Sequence, residues 1–206
     1  MKQCDVVVTN PPFSLFREFV VQLMEHEKKF AIIGHQNAIT YKAIFQLIRD
    51  NKLWIGYNNF DNSRFIMPAN YDISSSKYAY EEDGIKYGRV SGLRWFTNLE
   101  TTKRHEELTL YMCYTPEKYP KYENYDAIEV AKVAEIPADY EGYMGVPVTF
   151  LDKYNPKQFE IIWTTDRGGD GQLDHVKIPH ARYDAPVIAG QGKYKRIIIR
   201  KKENST

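Results

Sequence analysis

Asp5-Val6-Val7-Val8-Thr9-Asn10-Pro11-Pro12-Phe13 is the stretch whose reading decides the fold. Its β-branched run, Asp5–Thr9, has the form of a strand buried on both faces, and it stops at a pair of prolines. Downstream, Phe16, Phe19, Val20, Leu23 and Met24 recur at helical spacing, with Ser14 placed as N-cap, so a helix is predicted from Ser14 to Glu27. Lys29–Gly34 repeats the strand pattern. Ile39, Ala43, Ile44, Leu47 and Ile48 mark a second helix ending near Asp50-Asn51, and Leu53–Gly56 reads as a third strand. Strand, helix, strand, helix, strand with short connections predicts a parallel α/β sheet with right-handed crossovers. Ligands of such sheets bind at the carboxyl ends of the strands, which is where Asn10–Phe13 falls.

Beyond about residue 57 the helical period fades, so the domains are read as an α/β part over 1–57 and a β-rich remainder over 58–206. Strands are expected at Arg64–Met67, Val90–Asn98, Leu108–Tyr114, Ala127–Val130, Phe159–Trp163 and Arg196–Arg200. Asn70–Gly88 and Thr115–Asn124, rich in turn residues, are expected to be loops.

Composition sets the outer bounds. The 206 residues are 43% hydrophobic and 27% charged, which excludes disorder and predicts one globular domain or two small ones. Apolar runs such as Val6–Val8, Ala31–Ile33 and Ile197–Ile199 fall far short of the roughly 20 residues that cross a bilayer, and no signal-peptide pattern opens the chain. A cytoplasmic protein without membrane association is expected. With 28 Lys+Arg against 27 Asp+Glu the chain is not strongly basic, although the stretch from Lys193 to Lys202 is locally so. The 16 tyrosines are read as sheet content. Cys4 and Cys113 are expected to be reduced core thiols, and the five histidines show no metal-ligand spacing.

The motif Asn10-Pro11-Pro12-Phe13 carries the chemistry. Two prolines hold the backbone extended and remove two N–H donors, leaving carbonyl oxygens to accept from something external. Asn10 adds a side-chain carbonyl and Phe13 a flat apolar face. Together they suit an exocyclic amino group held by two acceptors while its ring is stacked, as chemistry on a flipped adenine requires.

The tetrad resembles the (Asp/Asn/Ser)-Pro-Pro-(Tyr/Phe/Trp) motif of amino-group methyltransferases, and its Asn-Pro-Pro-Phe spelling points to adenine. Further segments resemble the EcoRI-type adenine-specific DNA methyltransferase family: Thr9–Val20, Ser91–Glu100, Asn124–Val130 and Gly145–Ile162. The resemblance implies a fold that is the C-terminal part of a Rossmann-like class I S-adenosylmethionine-dependent methyltransferase sheet, followed by a β-rich region. It implies transfer of a methyl group from S-adenosylmethionine to adenine N6 in DNA, in a restriction–modification setting. The Asn10 side-chain oxygen and the Pro11 carbonyl accept from the amino group, and Phe13 stacks on the base.

In that family the cofactor site precedes this motif: a strand, a glycine-rich turn, then an acidic residue. Gly168-Gly169-Asp170-Gly171 and Gly190-Gln191-Gly192 are read as turns rather than as that site, because neither leads into a helical period. The chain is therefore expected to lack the cofactor-binding half, through truncation, separate encoding with docking in trans, or degeneration, and to be incomplete as an enzyme alone. A sheet divided there exposes an edge and favours a partner or self-association.

Arg94-Trp95 and Lys103-Arg104 combine cations with an aromatic ring and are candidates for DNA contact. Gly34-His35-Gln36-Asn37, at the tip of the second strand, is placed to border the adenine pocket. Two alternatives stand beside the transferase reading: a non-catalytic DNA-binding, target-recognition module working with a partner subunit, and a related enzyme acting on RNA or a protein glutamine.

Overall fold

The computed structural model describes residues 4–60, 63–165 and 185–202. Their elements in chain order are β1 (Val6–Thr9), α1 (Phe16–Glu25), β2 (Lys29–His35), α2 (Lys42–Arg49), β3 (Trp54–Asn59), β4 (Phe65–Ile66), β5 (Tyr80–Glu82), β6 (Ile85–Gly88) and β7 (Leu93–Thr97). There follow β8 (Ile128–Glu129), β9 (Met144–Pro147), β10 (Phe159–Thr164), β11 (Val187–Ile188), β12 (Gln191–Gly192) and β13 (Arg196–Lys201). The architecture is mixed α/β with several small sheets. Two compact units interleave along the chain: one holds the chain up to Ala38 together with Ile55–Leu99, the other Ile39–Trp54 and the chain from Glu100 onward.

The first unit is built on a sheet of order β1-β2-β7-β3. β1 and β2 pair in parallel, Val6 opposite Lys29 and Thr9 opposite Ile32, and α1 makes the crossover between them. β2 alternates, burying Phe30, Ile32 and Gly34 on one face. Onto that face α1 brings Phe16, Val20 and Leu23, its buried stripe. Gly34 lies where the ring of Phe16 comes down on the sheet, so that a Cβ there would collide with it, and the Phe16 ring meets Phe96 edge-on at 4.9 Å.

Several expectations are corrected here. The all-parallel sheet does not form: β7 inserts beside β2 and runs antiparallel to it, Ala31 opposite Thr97 and His35 opposite Leu93, which separates β2 from β3. Helix α2 belongs to the second unit, where Phe45 packs edge-on against Trp163 of β10 at 5.6 Å. β1 is not buried on both faces. Among the described residues it is an edge strand flanked by β2 alone, with Val6 44% and Val8 67% exposed. Ser14 does not cap α1. Phe13–Leu15 form a 3₁₀ turn instead, whose Leu15 N–H donates to the Pro12 carbonyl at 2.9 Å. Asn70–Gly88 is not all loop: Asp83 and Gly84, at φ +51° and +73°, make the tight turn of the β5–β6 hairpin. Cys4 and Cys113 form no disulfide and are exposed, not core thiols.

The second unit carries a sheet of order β10-β13-β9-β8, in which Ile197, Ile198 and Ile199 are fully buried. The expected strand at Leu108–Tyr114 is absent, save for a single bridge between Met112 and Pro137. Side chains take over its ladder. Gln158 accepts from the Leu108 N–H at 2.9 Å and donates to the Leu108 carbonyl at 2.7 Å, and Asp139 accepts from the Tyr114 N–H at 2.8 Å.

At the heart of this sheet Glu129 accepts from Arg196 Nε with both oxygens at 3.1 Å and from the Tyr122 hydroxyl. Gly145 makes room for Tyr122, since a Cβ there would strike its hydroxyl. Removing Glu129 leaves a nearly buried guanidinium unpaired, so Glu129→Ala is expected to cost about 3–5 kcal/mol in denaturant unfolding. Burial, with the Glu129 carboxylate second, pushes the Tyr122 phenol well above its ordinary 10, and burial raises Tyr154 to about 12. The folded protein keeps protons that the unfolded chain releases from about pH 10 upward. Stability therefore falls as pH rises above about 10, by about 1.4 kcal/mol per pH unit for each such phenol. Unfolding of Tyr122→Phe at pH 9 and 11 should show one phenol's share of that slope removed.

Candidate target-base site

β1 delivers the motif at its carboxyl end. Asn10 is exposed, Pro11 buried, and Phe13 is 42% exposed. Pro12, at φ −55° and ψ 130°, turns the chain into the 3₁₀ segment. The turn distinguishes the two proline carbonyls. That of Pro12 accepts from Leu15, whereas no hydrogen bond among the described residues engages the Pro11 carbonyl or the Asn10 side chain. Two unengaged acceptors and a partly exposed aromatic ring thus follow one another at a strand tip.

Beside them stands the tip of β2. The rings of Phe13 and His35 have centroids 6.5 Å apart and planes inclined by 60°. The Asn37 N–H donates to His35 Nδ1 at 3.2 Å, and the Gln36 N–H donates to the Gly92 carbonyl at 2.7 Å. Gly92, at φ +78°, turns the chain into β7 and lies against the imidazole. The expectation that residues 34–37 adjoin the motif is met by His35; the part of Gly92 was not foreseen, although a glycine just before an apolar strand is its usual sequence mark.

The four cationic and aromatic candidates divide between the two units. Arg94 and Trp95 lie on β7 of the first unit, Lys103 and Arg104 in a 3₁₀ turn of the second. Arg94 is 5% exposed, with Nη1 donating to the Leu93 carbonyl at 2.8 Å, and Trp95 is half-buried beside Phe60, ring centroids 5.6 Å apart. Arg104 is likewise 5% exposed. Its Nη1 donates to Glu100 at 2.6 Å, its Nη2 donates to Asn51, and its guanidinium lies 3.5 Å from the Trp54 ring centroid. Of the two charges in that turn, only Lys103 is partly open to solvent.

Neither glycine-rich stretch opens a helix among the described residues. Gly190 is the φ +71° turn of the β11–β12 hairpin, followed by strand β13 and not by a helix whose N-terminus could meet it. Gly168–Gly171, His175 and His180 lie outside the described residues. A cavity of about 970 Å³ in the second unit is lined by Glu107, Lys157, Glu160, Arg200 and Lys202 among others; it mixes both signs of charge and includes no residue of the motif. Among the described residues no three His, Cys, Asp or Glu side chains converge as for a metal ion, and no helix is long and apolar enough to cross a membrane.

Comparison with known proteins defines the class. The chain is 47% identical over 165 residues to the type II methyltransferase M.EcoRI of Escherichia coli, an alignment covering 79% of this chain and 51% of that protein. It is 40% identical over 212 residues to the type II methyltransferase M.MpnI of Mycoplasma pneumoniae, covering 99% of this chain and 66% of that protein. M.MgeORF184P of Mycoplasma genitalium, also a type II methyltransferase, is 37% identical over 211 residues, with 98% and 66% covered. A profile described as adenine-specific methyltransferase EcoRI matches residues 1–202, and the chain belongs to that family. It spans about half to two thirds of the length of these curated relatives. No solved structure matches it.

The burial of Arg104 yields a prediction. Arg104→Ala removes a guanidinium from Asn51, Glu100 and Trp54 at once and is expected to destabilise by about 2–4 kcal/mol, whereas Lys103→Ala stays within about 0.5 kcal/mol. Equilibrium unfolding in urea checks both, and equal stabilities overturn the internal role of Arg104.

Proposed function

We propose that this chain is the target-base-holding part of an adenine-N6 DNA methyltransferase of restriction–modification type, acting in the cytoplasm. One observation carries the reading: the Asn10 side chain and the Pro11 carbonyl have no hydrogen-bond partner among the described residues, and the exposed Phe13 follows them within three residues of the same strand tip. An adenine amino nitrogen is a poor nucleophile because its lone pair is delocalised into the ring. Two acceptors on its hydrogens favour the pyramidal form, and stacking on Phe13 fixes the direction of attack. Pro12 supports this by holding the turn and engaging its own carbonyl elsewhere.

In this reading the catalytic α/β part is the sheet β1-β2-β7-β3, the C-terminal part of a Rossmann-like class I sheet, to which residues 1–57 contribute β1, β2 and most of β3 while 58–206 contribute β7 and the β-rich remainder. DNA contact falls to Trp95 and Lys103, while Arg94 and Arg104 act indirectly, by holding their segments in place. S-adenosylmethionine, the methyl donor that family membership implies, is bound chiefly by residues that precede the motif in the longer relatives. The exposed edge of β1 supports that arrangement, since a further strand adds there without displacing anything in the described sheet. That strand comes from the same polypeptide, from a separately encoded half, or from a second copy.

Titrating the purified chain with S-adenosylhomocysteine in a calorimeter is the first test; the expected result is no measurable binding by the chain alone, and micromolar binding overturns the division of labour. In the protein completed with a cofactor-binding half, Asn10→Ala should lower methylation of a cognate duplex by at least about a hundredfold, the scale for loss of one transition-state partner, and leave duplex affinity within about twofold. Retained methylation removes Asn10 from the role assigned to it.

A further inference from the structure

We propose that His35 is a second base-contacting residue: its imidazole Nε2–H donates to the ring nitrogen that neighbours the amino group held by Asn10 and Pro11. The inference rests on the reading of Asn10–Phe13 as the base site and adds to it a residue that reads the base.

Three observations lead to it. First, His35 ends β2 as the motif ends β1, and the parallel register that pairs Thr9 with Ile32 brings both tips to one end of the sheet. Phe13 and His35 then meet at 6.5 Å and 60°, as a corner and not a stack, and Phe13 stays 42% exposed. Second, the Asn37 N–H donates to Nδ1, so in the neutral ring the proton is on Nε2. The backbone of the same loop thereby sets the tautomer. Third, Gly92 keeps the space beside Nε2 free of a side chain. A Cβ at Gly92 would stand 2.8 Å from Nε2 and 3.1 Å from Cε1, and the φ of +78° keeps that position for glycine. The Gln36 N–H donating to the Gly92 carbonyl at 2.7 Å holds the two loops at this spacing. No hydrogen bond from Nε2 to a described residue exists, and His35 is half-buried.

The chemistry is complementary. Adenine presents its amino group beside a ring nitrogen with a free lone pair, N1 on one edge and N7 on the other. Two acceptors from the motif and one donor from His35 match that pattern. A site built to pair a polar atom of its substrate discriminates against an analogue lacking it, because its own group is left without a partner.

The test uses the full chain and a short single-stranded DNA carrying one adenine, with 1-deazaadenine and 7-deazaadenine in its place as probes. Binding is followed by NMR of the His35 imidazole and by fluorescence anisotropy. Expected are a shift of the Nε2–H resonance with the adenine strand, binding weakened roughly tenfold by one of the two deaza bases, and the same weakening by His35→Ala. In His35→Ala that deaza base should cost nothing further, and His35→Gln, which keeps a donor, should recover most of the affinity. Additive losses, or no loss with either deaza base, overturn the role of His35. Asn10→Ala and Phe13→Ala separate the two levels. If they weaken adenine binding while the His35 and deaza effects are absent, only His35 is excluded. If they change nothing, or the unsubstituted chain does not bind the adenine strand, the underlying base-site reading fails with it. Thermal unfolding of each variant distinguishes a lost contact from a lost fold.

Discussion

The parallel pairing of β1 with β2 is the constraint on which the first unit depends. A parallel pair needs a crossover, and the crossover helix must lie close on the sheet. Gly34 makes the close approach feasible: where any side chain would stand, the ring of Phe16 comes down and meets Phe96 across the sheet. The same pairing sends both strand tips to one end. Phe13 therefore meets His35, and the loop before β7 adjoins them through Gly92. The placing of the motif beside His35 follows from the packing of one glycine under one phenylalanine.

The second unit is held by different means. Its sheet buries three consecutive isoleucines on β13, yet much of its chain runs without regular structure and meets its hydrogen bonds through side chains. Glu129 ties Tyr122 to Arg196 across β8 and β13, and Arg104 joins Asn51, Glu100 and Trp54. Buried charges of this kind are costly when unpaired and specific when paired, and they secure segments that the backbone ladder does not reach. Asn51, at φ +55°, both closes helix α2 and accepts from Arg104, so one residue serves the helix end and the ion network.

Much of the local structure was legible because it depends on near neighbours. The helical spacing of Phe16, Val20 and Leu23, the strand at Lys29–Gly34 and the isoleucine run at 197–199 all appear where period and composition place them. The failures have physical causes. β1 has the sequence of an interior strand and the exposure of an edge, because burial depends on what lies beside it and not on its own residues. The insertion of β7 between β2 and β3 is a long-range pairing with no local mark. The β5–β6 hairpin did carry a mark, Asp83-Gly84 between alternating residues, which the surrounding polar composition obscured. Leu108–Tyr114 has strand composition but no neighbouring strand, so Gln158 and Asp139 serve its backbone instead.

The sequence by itself determined the motif, its place at the end of a strand, and through segments spread along the chain, the family. Only the tertiary structure decided which proline carbonyl has no partner among the described residues, that His35 stands beside Phe13 with Gly92 against its imidazole, and that Arg94 and Arg104 are buried. The reason is common to all three. A residue's type states which hydrogen bonds and contacts it is able to make, whereas the partners it finds come from segments distant in sequence, and only folding brings those together.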